Sequence, residues 1–445
     1  MIVVGVAATG PATADEAVTL TPDEMRAATD YALRIHDSKT ALKLADALLT
    51  RDPADMFALI ARARALRDLG RYQDSLASAR DAWARAEGRD DRYAAALVTA
   101  QALSSMGRRT RAQIWLRRAA QNAPNDRAKA VVARDYAHVR ERNPWSTRLT
   151  FGLTPSSNVN NGSSSDIVVI GGLPFVLAPS AKALSGQELR FGAETRYRMR
   201  PTDTLSLHLG AEIDTRTYRL SSAARASAPG VTGSDFAWAA AEISFGGSWA
   251  PKPDAGPLGF ELTLGKSFYG GTALADYARL ELTKSYAIAP RTLLRLTGSA
   301  EQQWRADTPQ NDATVVLGNA ALTRRLGNGD IVTLSMGLRD TESDGPSIAN
   351  EARLASIAYR FAKPVLGARV GLNLAYEGRE YDMSLFGGAP RSDTRLELGV
   401  SAFLPQHDIY GFAPEIGLKA SRNRSNLSLY DSQEIGLTLG IRSAF

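Results

Sequence analysis

Histidine and acidic side chains are the groups in this sequence that could carry acid–base or metal chemistry. The 445-residue chain has four histidines, His36, His138, His208 and His407, and no cysteine. No two of these histidines have metal-ligand spacing. His208 and Glu212 alternate onto one face of a predicted strand and could exchange a proton, although a water-facing wall needs the same polarity. The sequence has no nucleophile elbow, phosphate loop or dinucleotide fingerprint. We therefore predict no catalytic residue, metal site or cofactor, and no enzyme activity.

A run of turn-forming residues, GLTPSSNVNNGS, occupies positions 152–163. Asn and Ser side chains bond readily to nearby backbone groups, so one interpretation is that they only organise a loop. The residues that we single out are Pro155, Ser157, Asn158, Asn160 and Asn161.

The elements around this run read as β-strands, because apolar and polar residues alternate from Pro144 to the last residue. In the closing stretch QEIGLTLGIRSAF, Ile435, Leu437 and Leu439 share one face, while Gly436 and Thr438 share the other. The predicted strands cover residues 146–153, 187–199, 203–219, 234–250, 257–270, 276–288, 291–306, 311–325, 329–341, 350–362, 365–381, 392–404, 408–424 and 431–445.

Fourteen strands joined by alternating short turns and longer loops are typical of a bacterial outer-membrane barrel. No run of about 18 apolar residues is available for a membrane helix. Aromatic residues near strand ends suit interfacial girdles. This set comprises Trp145, Tyr218, Trp249, Tyr286, Trp304, Tyr359, Phe361, Phe403, Tyr410 and Tyr430. An even strand number predicts that both ends of the barrel chain face the periplasm.

The N-terminal part, rich in Ala, Leu and Arg, shows helical periodicity and an internal repeat. A displacement of 37 residues superimposes Ala63 on Ala100 and Gly70 on Gly107. The pattern resembles tetratricopeptide repeats, which are helix–turn–helix units of about 34 residues. The matches cover residues 56–89 and 93–126, with a degenerate half-repeat before them and a capping helix near 128–140.

Most of the net charge of +6 lies in this helical part. The run Arg108, Arg109, Arg111, Arg117 and Arg118 could attract acidic segments of a client protein, or could be a solvated face. The sequence has no nucleic-acid reader motif, and we predict no nucleic-acid partner.

The chain start, MIVVGVAATGPATADEAV, combines a short apolar stretch with an Ala-Thr-Ala cleavage pattern. We predict a signal-peptide remnant at residues 1–14, a tetratricopeptide-like periplasmic helical domain at 15–143 and an outer-membrane barrel at 146–445. The predicted fold class is thus N-terminal α-helical tetratricopeptide repeats followed by a 14-stranded antiparallel transmembrane β-barrel.

Tandem helical repeats, the PSSNVNN junction on a first strand and a terminal Phe together resemble the surface lipoprotein assembly modifier (Slam) family. Its members carry a similar Pro-x-Ser-Asn-x-Asn motif at this junction; here Ser156 stands where an acidic residue is expected. The resemblance implies an outer-membrane translocator whose client is a surface lipoprotein or a secreted haem- or metal-scavenging protein. Phe445 then resembles the signal that such barrels present to the barrel-assembly machinery. Periplasmic chaperones and that machinery are the further partners it implies.

Two alternative functions and one local question stay open at this point. The chain could be an exopolysaccharide export porin, which also joins periplasmic repeats to a barrel, or a surface scaffold or adhesin with a closed pore. The apolar stretch 166–179 could fold inward as a gate or form a surface hairpin.

Overall fold

A computed structural model of the protein describes residues 20–170, 172–252, 256–345, 347–383 and 389–443. The chain divides into two compact units, Met1–Arg142 and Asn143–Phe445. The predicted signal segment 1–14 and Phe445 lie outside the described residues.

The first unit is helical. Its helices are α1 Pro22–Arg34, α2 Ser38–Arg51, α3 Met56–Asp68, α4 Tyr72–Arg85, α5 Arg89–Ser105, α6 Arg109–Gln121 and α7 Asp126–Arg142. Side-chain caps fix several starts: Thr21 and Glu24 form a capping box, and the Asp37 and Asp55 carboxylates accept from the backbone of Thr40 and Ala58. The predicted capping helix falls within α7.

The turns inside the helix pairs share one backbone geometry. Gly70 and Gly107 have φ of +77° and +73°, and each is followed by an N–H that donates to a carbonyl five residues back. His36 takes the same left-handed conformation, with φ of +62°, and Asp37 N–H donates to Ala32 O. A complete helix pair, α1 and α2, therefore stands where the sequence predicted half a repeat. The sequence indicated only half a repeat here because His36 stands where the later helix pairs have a turn glycine.

Alanines fill the helix crossings. Ala41, Ala45, Ala61 and Ala65 are buried together with Leu33, and a methyl side chain lets helix backbones approach closely. This is the physical reason for the Ala-rich composition of the unit. Within the described residues, no helix combines the length and apolarity needed to cross a membrane.

The second unit is a closed antiparallel barrel of fourteen strands in its described residues, as predicted. Its strands are β1 Trp145–Ser156, β4 Gly186–Met199, β5 Leu205–Leu220, β6 Trp238–Trp249, β7 Leu258–Tyr269, β8 Thr272–Ala289, β9 Thr292–Arg305, β10 Ala313–Arg325, β11 Ile331–Ser343, β12 Asn350–Arg360, β13 Arg369–Tyr381, β14 Ser392–Phe403, β15 Phe412–Ser425 and β16 Ser432–Ser443. Strands β2 Ile167–Ile170 and β3 Leu173–Val176 form a separate hairpin. A short helix, α8 Ser222–Ser227, follows β5.

The connections alternate less regularly than expected. One rim, called the loop rim here, carries the two longest connections, 157–185 and 221–237, but also the two-residue turn Gly270–Gly271. The other rim, the turn rim, carries connections such as 200–204, 290–291 and 326–330. Strand β1 begins and the described part of β16 ends at the turn rim, because the strand number is even.

The two faces of the wall differ as the alternation predicted. Outward-facing apolar side chains are exposed on every side of the barrel, among them Leu209, Leu280, Leu338, Leu398 and Leu439. Of the predicted girdle aromatics, Trp145, Trp249, Tyr286, Trp304 and Tyr410 are exposed. Phe403 is instead buried, beneath the Arg442 guanidinium at 4.3 Å, because it falls on the inner face of β14.

Candidate functional site

The inner wall of the barrel is lined by charged side chains that pair across strands. Arg196 Nη2 lies 3.4 Å and His208 Nε2 lies 3.3 Å from Glu261, which is on β7. Arg339 of β11 pairs with Glu377 of β13 at 2.6 Å. Arg279 pairs with Glu301 at 2.5 Å. The lumen is therefore polar and carries both signs of charge.

A glycine on the intervening strand allows the contact between His208 and Glu261. His208 is opposite Gly246, which is opposite Glu261, and a Cβ at Gly246 would lie 2.7 Å from the His208 ring. His208 thus reaches over β6 to Glu261, a different carboxylate from the Glu212 considered in the sequence. Sequence reasoning missed this partner because the register of three strands decides it, although inner-face glycines were a usable signal.

The same arrangement recurs on the next strands. Tyr277 Oη donates to Glu242 Oε1 at 2.6 Å across β7, where the missing side chain of Gly265 leaves room for the Tyr277 ring. Among the described residues, no group of three or more His, Asp or Glu side chains is placed to hold a metal ion.

The run of turn formers after β1 builds a closed knot of hydrogen bonds, here called the first-loop knot (residues 156–164). Asn158 is 4% exposed; its amide donates to Gly162 O at 2.9 Å and its carbonyl accepts from Gly162 N–H at 2.8 Å. Asn160 donates to Ser180 O and Lys182 O and accepts from Leu184 N–H. The Asn158 amide therefore closes a local turn, and the Asn160 amide holds the start of the first long loop against its end.

Glycine is required at one point of this knot. A Cβ at Gly162 would lie 2.3 Å from Lys182 O, so no larger residue fits without moving backbone. This close approach explains why glycine follows Asn161 at the end of the motif.

The knot also joins the first strand to the last. Ser156 Oγ donates to Glu434 Oε1 at 3.1 Å, and Ile435 N–H donates to Ser157 Oγ at 3.1 Å. Further along, Ser163 Oγ donates to Ser428 O at 2.7 Å, and Ser164 N–H donates to Asp431 O at 2.7 Å. The motif thus ties β1 and the first loop to the β15–β16 connection at the loop rim.

The remaining motif residues have plainer surroundings. Pro155 is exposed within β1 and lies opposite Gln187 of β4. Asn161 is exposed, has φ of +51°, and lines a cavity of about 240 Å³ together with Arg216, Tyr218 and Trp238. The knot therefore lies against inner-face side chains of β5 and β6.

A small apolar core holds the long loops at this side of the loop rim. Val159 and Leu184 of the first loop pack with Leu220 at the end of β5 and with Ala224 and Ala228 of the second loop. Tyr218, predicted as a girdle residue, packs against this core. The two loops are therefore packed together beside the end of β5.

The stretch 166–179 contains the β2–β3 hairpin, which forms a sheet of its own. Val169, Leu173, Phe175 and Val176 are exposed, and only Val168 of this apolar set is buried. Ser428 Oγ donates to Ile167 O at 2.9 Å and fixes the hairpin beside the last strand connection.

In the helical unit, the first helices of successive pairs form a groove. Ile60 and Arg64 of α3 face Tyr93, Leu97 and Gln101 of α5 around a cavity of about 310 Å³. Arg67 closes one side by donating to Gln101 at 2.5 Å. Burial raises the pKa of Asp135 in α7 above its ordinary value, and raises the pKa of Tyr93, with Asp135 adding to the effect.

The arginines of the basic run have different surroundings. The Arg118 guanidinium lies 4.4 Å from the Trp115 ring and 5.8 Å from the Trp83 ring of α4, and Arg117 donates to Tyr136 Oη of α7 at 2.9 Å. Arg108 and Arg111 are exposed, and Arg109 is half-buried. Two of the five arginines are thus used in packing between helices.

Comparison with known proteins gives weak likenesses. No family model and no curated protein matches the chain. The barrel is similar to a BenF-like porin from Pseudomonas fluorescens Pf-5, with 8% identity, 67% of this chain and 98% of that chain covered, and a TM-score of 0.38. It is also similar to OmpT, an outer membrane protein of Vibrio cholerae, with 9% identity, coverages of 68% and 98%, and a TM-score of 0.33.

The helical part is similar to the type III secretion translocator chaperone SycD of Yersinia enterocolitica. The identity is 14%, the coverages are 28% of this chain and 88% of that chain, and the TM-score is 0.25. At such scores, none of these likenesses decides a function; the fold assignment rests on the strand and helix geometry above.

Proposed function

We propose that this chain is an outer-membrane translocator that delivers a specific client protein to the cell surface. The observation that carries the proposal is the combination of a grooved helical unit with a closed barrel that is apolar outside and charged inside. The junction sequence, with its resemblance to the Slam family, selects protein delivery among the tasks such a combination could serve. The client would be a surface lipoprotein or a secreted haem- or metal-scavenging protein, and no catalytic step is required.

The membrane placement follows from the barrel. A closed antiparallel sheet has no free edge strand, and an apolar outer face suits the hydrocarbon core of a membrane. Porin-like orientation puts long loops outside the cell, so the turn rim, where β1 begins, would face the periplasm. The helical unit, which precedes β1, would then be periplasmic.

The helical groove would recruit the client or its chaperone. Grooves between stacked helix pairs bind extended peptides or partner helices. The apolar side chains of Ile60 and Leu97, bordered by Arg64 and Arg67, suit an amphipathic segment with acidic flanks. Periplasmic chaperones and the barrel-assembly machinery are the other partners that we propose, with lipid around the barrel.

Deletion of residues 21–142 tests whether the helical unit recruits the client for the barrel. We expect the truncated barrel to assemble, because the sheet closes within residues 143–445, and to lose client export. Assembly would be measured by the heat-dependent gel shift of folded barrels, and export by protease accessibility of surface proteins. Normal export by an assembled truncation would contradict the recruitment role.

Export of a charged polysaccharide is the second candidate, and the charged lumen is the observation that favours it. Most lumen charges described above are paired, however, and both signs are present, so the wall does not select a polyanion. Conductance that is blocked by added polysaccharide would favour this candidate over protein delivery. A surface adhesin would show neither export nor conductance.

A further inference from the structure

A small cavity lies beside the first-loop knot at the loop rim of the barrel. Its volume is about 240 Å³. Sites for drug-sized ligands measure about 300–1,000 Å³, so this space suits a ligand of a single ring. The side chains that carry the argument below line this cavity, and they are Asn161, Arg216, Tyr218, Phe236, Trp238 and Tyr269.

The walls of the cavity are largely aromatic. Arg216 of β5 is opposite Trp238 of β6, which is opposite Tyr269 of β7, so the three form one row across the barrel wall. Tyr218 lies two residues beyond Arg216, and Phe236 comes from the second long loop. Four aromatic side chains thus surround one guanidinium group.

The Arg216 guanidinium is held in place, yet it forms no hydrogen bond with the described residues. It lies 5.3 Å from the centre of the Trp238 ring. The neighbouring carboxylate, Asp214, accepts from Arg190 Nε and Nη2 at 3.0 and 2.6 Å. Its other oxygen is 3.6 Å from Arg216 Nε, beyond hydrogen-bond distance, and this buried Nε has no partner. The arginine therefore stacks on a ring while its donors stay unused within the described part of the chain.

A second arginine at the same rim shows the contrast. The Arg391 guanidinium lies 3.3 Å from the centre of the Tyr430 ring. Two of its nitrogens, Nε and Nη2, donate to the Asp393 carboxylate. Stacking on a ring thus coincides with full pairing at Arg391 but not at Arg216.

Asn161 is the amide of the first-loop knot that faces this cavity. Its neighbours fix its position, because Asn160 donates to Lys182 O and Gly162 N–H donates to Asn158 Oδ1. Within the described ranges, neither the Asn161 amide nor the Tyr269 hydroxyl has a hydrogen-bond partner. The cavity therefore combines aromatic faces with three polar groups that can bind a ligand.

A sugar ring fits both properties. Its C–H faces suit the electron-rich faces of aromatic rings, and its hydroxyls suit guanidinium, amide and phenol groups. An apolar ring would leave Arg216 and Asn161 without partners. Carboxylates also lie beside the cavity, since Asp214 neighbours Arg216 and Glu188 is opposite Tyr218. These surroundings favour a neutral polar ligand over an anion.

We propose that this cavity is a binding site for one neutral sugar ring, either a free monosaccharide or the end of a saccharide chain. Trp238 supplies the stacking face, and Arg216 and Asn161 bind hydroxyl groups at the edge of the ring. The site needs only the barrel wall and its loops, so it does not rest on the proposed function.

Binding is measured by calorimetry and saturation-transfer NMR on the full chain in lauryldimethylamine oxide, a detergent without a sugar head group. The probes are glucose, galactose and mannose, with cyclohexanol and acetate as comparators. The variants are Trp238→Leu, Arg216→Gln and Asn161→Gly, and the matched control is Arg391→Gln. The heat-dependent gel shift establishes that each barrel is folded. Asn161→Gly keeps the test decisive if another variant fails to fold, because glycine accepts the positive φ at this position.

We expect at least one of the three hexoses to bind with a dissociation constant on the order of 1 mM. Trp238→Leu and Arg216→Gln should each weaken it about tenfold, and Asn161→Gly should weaken it about threefold. Arg391→Gln should leave it unchanged. Binding of maltose as tight as that of glucose would identify the end of a chain as the ligand, and exclusion of maltose would identify a free sugar.

Absence of hexose binding would overturn the proposal, as would equal binding by the wild type and the folded cavity variants. Cyclohexanol that binds as tightly as the hexoses would show a merely apolar cavity, and tighter binding of acetate would show an anion site; both results reject a sugar site. The measurement uses the purified chain, so failure of sugar binding leaves the proposed translocator untouched. A chain that exports no client and still binds hexose would retain this site.

Discussion

Single amide side chains fix the geometry of the barrel mouth. Asn158 is buried and completes both hydrogen-bonding groups of Gly162, while its own N–H donates to Ser156 Oγ at 3.1 Å. Buried backbone groups need hydrogen-bond partners. Asn158 therefore stabilises the loop mainly by bonding to the Gly162 N–H and C=O, and less through the area that it buries. Asn161, three positions along, is exposed and has a left-handed backbone with φ of +51°.

Replacing Asn158 with Ala should therefore destabilise the folded loops. It leaves the Gly162 N–H and C=O without partners, at a cost of about 1–3 kcal/mol. Urea unfolding of the barrel in vesicles and protease cleavage between residues 157 and 185 would measure the loss. The control is Asn161→Gly, since glycine accepts positive φ freely and should leave both readouts unchanged. Equal effects of the two changes would argue against the knot.

Asp135 gives the helical unit a defined pH dependence. Burial raises the pKa of this carboxyl above its ordinary value of 3.8, so the folded state binds its proton more tightly than the unfolded state. Its contribution to stability is complete below pH 3.8 and declines as the pH rises toward the folded-state pKa.

The variant Asp135→Asn should then be more stable than the wild type at pH 7 and equal to it near pH 3. Hydrogen exchange of helices α5 and α7 in the full chain measures both conditions. Burial is the first cause of the shift, so the gap should persist at high salt. A gap that is larger at pH 3 than at pH 7 would contradict the assignment.

At the scale of elements, inner-face glycines determine which side chains can contact a partner two strands away along the wall. Gly246 lets His208 reach Glu261, and Gly265 lets Tyr277 reach Glu242. Glycine weakens an isolated strand, but here it marks close approach of a side chain from the next strand.

Gly265→Ala should displace the Tyr277 ring, because the added Cβ would lie 2.3 Å from it. The hydrogen bond to Glu242 would be lost, and overpacking of this kind costs about 1–3 kcal/mol. The matched control is Gly298→Ala, where nothing lies within 4 Å of the new atom. Tyrosine fluorescence would be masked by tryptophan, so the heat-dependent gel shift is the measurement. A Gly298 variant as unstable as the Gly265 variant would contradict the explanation that a clash with the Tyr277 ring causes the loss of stability.

Much of the fold could be predicted from the sequence because strand alternation is a local signal. All fourteen wall strands were found. The start positions shifted most at Trp238, Arg369 and Phe412, which begin later than predicted because turn residues continue the alternation, and at Thr272, which begins earlier than predicted. The left-handed turn at His36 was missed because its residue type is unusual there. Partners such as Glu261 depend on the register of several strands, which no single stretch of sequence specifies.

At the scale of the whole molecule, the helical unit and the barrel each offer a surface suited to polypeptide. The first has a groove between α3 and α5, and the second has a polar lumen lined by paired charges. Translocation without a nucleotide source needs a bias, which capture at the helices and folding outside the cell would supply. The central claim is therefore that the chain moves a small number of client proteins, rather than solutes in general.

Surface-protease shaving with mass spectrometry, on cells with and without this chain, tests that claim most directly. We expect one or a few proteins to lose surface exposure in the deleted cells while persisting in the periplasm, and to regain it when the full chain is restored. An unchanged set of surface proteins at constant total protein would contradict delivery of a protein client.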